Sequence, residues 1–229
     1  MLSAQISELD LDDFDGQITQ TIVLSDVSWK TYRAMLADMG DHRVTRLAYH
    51  QGVLTLKTPS KLHEIINRLL ARIVTTLTEE LDLEVVNIGS ITLERDDIKA
   101  GAEPDTAFYI QNAAQVQGLD PQIPEQLPPD LVIEVDITSP STERLKIYQV
   151  LGVREVWQYT KRRGVVFYQL QTEEGAVKRS PQSSYIAVDT SIAFPQLTAE
   201  RLNQLLQQRQ TQSENQVIRT VRSWIQPST

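Results

Sequence analysis

Around Leu131-Val132-Ile133-Glu134-Val135-Asp136 the chain commits itself to one architecture. Leu131 to Val135 is a dense apolar run, the mark of a strand buried on both faces, and Glu134 interrupts it. A buried carboxylate must be paired, hydrogen-bonded or bound to a metal, because leaving it bare is costly. Asp136 follows two residues later and, by strand alternation, points to the same side as Glu134. Two carboxylates on one side of one strand repel unless a cation lies between them. A third, Asp105, opens a neighbouring apolar strand directly after Pro104, so Glu103-Pro104-Asp105 and Glu134-Val135-Asp136 both stand beside strand ends. Oxygen-rich sites of this kind suit Mg²⁺ or Mn²⁺. Equally, Glu134 can pair with a buried Arg or Lys while Asp105 caps a turn, and the spacing alone leaves both open.

Outward from this strand, strands and helices interleave, which predicts an α/β domain with a mixed sheet. Ser25 or Asp26 is placed to cap a helix that Gly40 ends. Val44 to Tyr49 and Val53 to Lys57 read as a hairpin around His50-Gln51-Gly52. Ser60, with His63-Glu64, opens a helix whose apolar stripe from Leu62 to Leu81 predicts one face buried against a sheet. Leu83 to Ile88, Ile91 to Glu94 and Asp105 to Ile110 read as strands, and Gln111 to Pro129 as a surface connection. Ser141 caps a helix through Leu151; Glu155 to Tyr159 and Val165 to Leu170 pair around Lys161-Arg162-Arg163-Gly164. Two amphipathic helices, Thr198 to about Arg209 and Glu214 to about Ile225, close the chain. This gives three parts: an acidic arm over residues 1–24, the main domain over 25–190, and C-terminal helices over 191–229. Leu202, Leu205, Leu206, Ile218, Val221 and Trp224 fit those helices to pack on the core or on a dimer partner.

Composition narrows the chemistry. The 229 residues hold no cysteine and only three histidines, His42, His50 and His63, so a thiolate site or a histidine-clustered zinc hydrolase is disfavoured. The net charge of −8 speaks against a protein that coats nucleic acid, although Lys161-Arg162-Arg163, or Lys61 with Arg68 and Arg72, can form local patches. As solvated faces these clusters need no ligand. No apolar run is long enough for a membrane helix, and the acidic start lacks a secretory pattern, so a cytoplasmic protein is expected. Tyr148, Trp157, Tyr159 and Tyr168 fall at core-like positions and read as packing residues.

At these residues the chain resembles the Uma family, a bacterial group of restriction-endonuclease-like proteins in the PD-(D/E)xK nuclease superfamily. The matching segments are Gly101-Ala102-Glu103-Pro104-Asp105 before Phe108-Tyr109-Ile110-Gln111-Asn112, and Pro129-Asp130 before Leu131 to Val135. They continue in Ser139-Pro140-Ser141-Thr142, Tyr148, Gly152-Val153 and Glu155-Val156-Trp157. The resemblance implies a restriction-endonuclease-like mixed β-sheet flanked by helices. It also implies a divalent ion, Mg²⁺ or Mn²⁺, held by Asp105 and Glu134 with the Val135 carbonyl, and DNA as substrate. Superfamily members often add a glutamate from the first core helix, here Glu64, which can equally serve the helix N-terminus. The superfamily pattern places a lysine two residues after Glu134, where this chain has Asp136, open to reading as a third ligand or as a partner for Arg144. Uma-like proteins commonly carry that lysine on the next helix, at the position of Arg144. Lys146 lies about 200° further round that helix, so both cannot face the site.

Two functions follow from this pattern: a metal-dependent endonuclease with Arg144 or Lys146 stabilising charge, or a non-catalytic binding or assembly protein on the same scaffold. A small-molecule hydrolase has little support, since no nucleophile elbow or phosphate loop is present. Cutting both strands of a duplex generally takes two active sites, so a homodimer is expected. The nuclease reading requires the Asp105 and Glu134 carboxylates to converge, and carboxylates that point apart or have permanent neutralising partners would end it.

Overall fold

The structure is a computed structural model, and it describes residues 4–6, 19–40, 43–137, 142–171 and 184–225. In chain order the elements begin with β1 (Ala4–Ile6), β2 (Gln20–Leu24), α1 (Trp29–Met39), β3 (Arg46–His50), β4 (Val53–Thr58) and α2 (Lys61–Glu80). Then come β5 (Val86–Gly89), β6 (Leu93–Arg95), β7 (Ala100–Ala102), β8 (Thr106–Tyr109), β9 (Leu131–Asp136) and α3 (Thr142–Leu151). The chain continues with β10 (Glu155–Thr160), β11 (Gly164–Gln171), β12 (Ser184–Val188), α4 (Ala199–Gln208) and α5 (Glu214–Ile225). Residues 1–3 and 7–18 of the acidic arm, His42 and the predicted cap Ser141 lie outside the described residues, while the end of the arm forms β2.

The mixed α/β architecture matches the expectation, with one addition: the strands form two sheets. The first is antiparallel throughout, in the order β1-β2-β4-β3-β7-β6. The second, β12-β11-β10-β9-β8-β5, is mixed, because α3 returns the chain so that β9 and β10 run parallel. The two strands read on either side of Gly89-Ser90 belong to different sheets, β5 to the second and β6 to the first. Gly89, at φ +61°, sits where the chain leaves one for the other. A second crossing runs from β7 to β8 through Glu103-Pro104-Asp105, which puts Asp105 on the seam.

Local chemistry explains the boundaries. Asp26 has φ +59°, which a helix cannot use, so α1 starts later and Ser28 accepts the capping bond from Thr31 N at 3.0 Å. Ser60 caps α2 in the same way, through His63 N at 3.2 Å. The stripe of α2, with Leu70, Ile73 and Val74 buried, packs on one face of the second sheet beside Ile133, Val135, Trp157 and Phe167. Leu202, Leu205, Val217 and Val221 of α4 and α5 close the same core. On the opposite face Val132 and Val156 meet Ile147 and Tyr148 of α3, together with Ala48, Ala100 and Ala102 of the first sheet. Glu134 and Asp136 share the side of Val132, so alternation aims them at α3 and at the first sheet. Among the described residues no helix is long and apolar enough to cross a membrane.

The small residues of β7 matter because that strand delivers the Glu103-Pro104-Asp105 corner. A Cβ on Gly101 would come 2.5 Å from the hydroxyl of Tyr32 and 3.0 Å from its Cζ. Tyr32 is fully buried and stacks against Tyr49 at 5.3 Å. Gly101→Ala is therefore expected to cost about 1–3 kcal/mol through overpacking, seen as a fall in Tm of roughly 2–10 °C. Tyr32→Phe removes the closest atom and should recover part of that loss in the double variant; additive losses would disprove the contact.

Candidate active site

The site is assembled from six elements (β3, β4, α2, β9, α3 and β10) and one strand-to-strand corner. The β8–β9 register, with Thr106 opposite Ile133, brings Asp105 alongside Glu134. The amide of Val135 donates to Asp105 Oδ2 at 2.6 Å, pinning that carboxylate to the next strand. On β3 and β4, Arg46 and Lys57 are cross-strand partners, and both reach over the seam to Asp105.

Lys57 is the centre of the cluster. Its Nζ donates to the Val135 carbonyl at 2.8 Å and to Asp136 Oδ1 at 3.1 Å. It also lies 3.3 Å from Asp105 Oδ2 and 3.4 Å from Glu134 Oε2. Burial works against this charge, but Asp105, Asp136 and Glu134 outweigh it and raise the lysine pKa above its ordinary value. The two carboxylates thus converge on one point, and that point carries a positive charge.

Each carboxylate has further donors. His63 Nε2 faces Asp105 Oδ2 at 2.8 Å, and since a carboxylate only accepts, that nitrogen is the donor. Burial would raise the Asp105 pKa, yet Lys57, the His63 hydrogen bond and Arg46 hold it well below the usual carboxylate range. Arg144 Nη1 donates to Glu134 Oε1 at 2.8 Å and to the Glu103 carbonyl at 2.8 Å. The Tyr148 hydroxyl donates to the same Glu134 oxygen. Burial and then Glu134 push the Tyr148 pKa well up, so it stays a phenol and a donor. Gln158 Nε2 holds Asp136 Oδ2 at 2.9 Å. Asp105, Glu134, Asp136, Lys57, His63, Arg144 and Tyr148 are all buried.

Four oxygens around one cation are the donor chemistry of a hard divalent ion. As they stand, with the ammonium among them, no three acidic or imidazole side chains of the described residues are arranged to hold a metal. The donor types fit such an ion; the position is held by Lys57.

A groove of about 660 Å³ lies on the α2 and α4 side of the second sheet, the face opposite Glu134 and Asp136. Leu62, Ile65 and Ile66 of α2 form one wall, the Lys161-Arg162-Arg163 turn another, and Arg209 lies at its far end. Leu62 and Ile65 are adjacent in the chain to His63 and Glu64, and Thr160 of β10 pairs with Asp136, so groove and carboxylates share one end of the sheet. Arg163 reaches Gln158 Oε1 at 3.4 Å, which links the basic turn to the Asp136 partner.

Residues 29–209 match the Uma2 family, whose description is "Putative restriction endonuclease". The chain belongs to this family. Among solved structures it is similar to "a putative nuclease belonging to DUF820" from Anabaena variabilis ATCC 29413, at 10% identity and a TM-score of 0.48. That likeness covers 87% of this chain and 99% of the other. No curated protein matches.

In this Uma2 chain the structure brings together Asp105, Glu134, Asp136 and Arg144 of the residues singled out from sequence. Glu64 stands at the rim, paired with Arg46 at 3.1 Å and partly exposed. Lys146 is not part of the cluster: it points to solvent and pairs with Glu143 at 2.7 Å, as half a helical turn from Arg144 requires. Tyr148, read as packing, is packed and also a hydrogen-bond donor to Glu134. Lys57, Arg46 and His63 escaped the sequence reading as site residues. Only His63 gave a local signal, as a polar residue on the buried stripe of α2.

Arg144→Met leaves Glu134 with one fewer charged partner in a dry site, and should lower stability by about 3–5 kcal/mol. Lys146→Ala should stay within about 0.5 kcal/mol of wild type. Urea midpoints measure both, and equal effects would disprove the placement of Arg144.

Proposed function

We propose that this Uma2-family chain is a metal-dependent endonuclease that hydrolyses DNA phosphodiester bonds. The observation that carries the reading is the meeting of Asp105, Glu134 and the Val135 carbonyl, from adjacent strands, within 3.4 Å of a single cationic atom. Asp105, Glu134 and that carbonyl would hold Mg²⁺ or Mn²⁺, with Asp136 beside them. When bound, such an ion lowers the pKa of a coordinated water and stabilises the leaving oxygen.

The chain's own residues do the positioning. His63 and Arg46 fix Asp105, while Arg144 and Tyr148 fix Glu134, so neither carboxylate has to reorganise. Arg144 cannot readily give up a proton and is committed to Glu134, which makes it a poor stand-in for the superfamily lysine. Lys57 supplies an amine at the carboxylates from β4 instead, and its charge suits the developing negative charge on a phosphate. The Lys161-Arg162-Arg163 turn and Arg209 line a basic groove that a phosphate backbone can follow at the same end of the sheet as the carboxylates. Because two strands need two such centres, the reading carries a homodimer with it, acting in the cytoplasm.

One observation favours a second reading, a catalytically inactive binding protein: the three carboxylates already have Lys57, Arg46 and Arg144 as partners. Incubation with supercoiled plasmid separates the two. Nicking or linearisation that needs Mg²⁺ or Mn²⁺ and disappears in Glu134→Ala supports the nuclease. No cleavage of duplex, single-stranded or supercoiled DNA, with melting unchanged at millimolar metal, supports the inactive scaffold.

Binding is tested separately. Lys161→Ala with Arg162→Ala should weaken DNA affinity about equally across sequences and reduce the salt slope by about 1 per lost phosphate contact. An unchanged slope would remove the groove from the DNA path.

A further inference from the structure

We propose that Lys57 is a resident occupant of the cation position, so that a divalent ion binds this centre only by displacing the lysine ammonium. The inference rests on the metal-dependent reading above and adds to it a competitor built into the chain.

The first support is a mismatch in number. An ammonium has three protons, yet four oxygens face Nζ: Val135 O at 2.8 Å, Asp136 Oδ1 at 3.1 Å, Asp105 Oδ2 at 3.3 Å and Glu134 Oε2 at 3.4 Å. The two longest contacts join charge to charge more than donor to lone pair. Such a cradle recognises a compact positive charge, which a metal ion also offers, and not the geometry of an amine.

Charge balance is the second. Asp105, Glu134 and Asp136 face Lys57, Arg46 and Arg144, so the buried carboxylates are matched without any metal. An ion added to this set would sit against an ammonium in a dry site, where like charges repel strongly. Exchanging the ammonium for the ion removes that repulsion and keeps all four oxygens satisfied.

Topology is the third. The oxygens belong to the second sheet and its entry corner, whereas Lys57 comes from β4 of the first. A four-carbon stem carries the charge across the seam, so the head group can leave without either sheet moving. Arg46, its cross-strand neighbour, bonds the other oxygen of Asp105 and does not depend on Lys57 for its place.

The test is calorimetric titration of Mn²⁺ into the full chain, comparing wild type, Lys57→Met, Lys57→Arg and Lys57→Met with Glu134→Gln. Lys57→Met keeps the stem and removes the charge, and should bind Mn²⁺ at least about tenfold more tightly than wild type. The gain should vanish when Glu134→Gln is added, and Lys57→Arg, which restores a cation, should bind no more tightly than wild type. If Lys57→Met is unfolded alone, Mn²⁺ should restore its circular dichroism and a cooperative melt. A Lys57→Met protein that binds no more tightly, or that fails to fold at any Mn²⁺ concentration, overturns the proposal. So does a Lys57→Arg protein that binds as tightly as Lys57→Met. Tighter Mn²⁺ binding by Lys57→Met, with no plasmid cleavage by wild type, upholds the competitor and removes the nuclease. Cleavage by wild type with no tightening in the variant does the reverse.

Discussion

Lys57 crosses from an antiparallel sheet into oxygens supplied by a mixed one, and the electrostatics of that crossing constrains the residues around it. Asp105, Glu134 and Asp136 are all within 3.4 Å of its Nζ. In a water-poor site three such carboxylates cannot remain ionised together without cations between them. Arg46 and Arg144 continue the compensation outward, and Tyr148, His63 and Gln158 take up carboxylate lone pairs that the cations leave. Removing any charged member exposes an uncompensated partner, so the cluster stands or falls as a unit.

Such a network is a poor way to obtain stability. Well-packed apolar residues of similar volume commonly do as well as a buried ion pair or better. The hydrophobic clusters on both faces of β9 show that this strand packs well where packing is all it has to do. Val132, Glu134 and Asp136 share one side of β9, and only the two near its C-terminal end are charged. That polarity within one strand gathers the buried charge at one end of the sheet.

The carboxylates were legible in sequence because strand alternation is local. Glu134 and Asp136 are two residues apart, and Asp105 follows a proline at a strand start, so a period-2 rule places all three. The cations were less legible because their contacts are not local. Lys57 lies 48 residues from Asp105 and 77 from Glu134, and in its hairpin strand it alternates with apolar residues like any solvent-facing lysine. Nothing in Val53 to Thr58 says that the polar face of this strand is covered by a second sheet. For the same reason one mixed sheet was expected: β7 is Ala-Gly-Ala, with no strand propensity of its own, and β12 is a half-exposed edge strand. The helix α2 was readable in full, since its stripe repeats over five turns.

Arg144 shows where a residue-by-residue transfer from a family pattern meets physics. Its position on α3 is the one at which the resemblance implied a lysine, but its guanidinium bridges Glu134 and the Glu103 carbonyl. Both bonds leave one nitrogen, Nη1, of a permanently charged group whose long side chain spans the two elements. Arg144 is therefore a clamp between the β9 strand and the β7–β8 corner, which frees the mobile-headed cation to arrive from elsewhere. The buried cluster is close to neutral, so the net charge of −8 is carried by the rest of the chain. The buried carboxylates are matched by cations, and the Lys161-Arg162-Arg163 turn and Arg209 line the groove at the same end of the sheet. On the nuclease reading, an approaching phosphate would meet the local field of that groove, because charges more than about 8–10 Å away are largely screened at ordinary ionic strength.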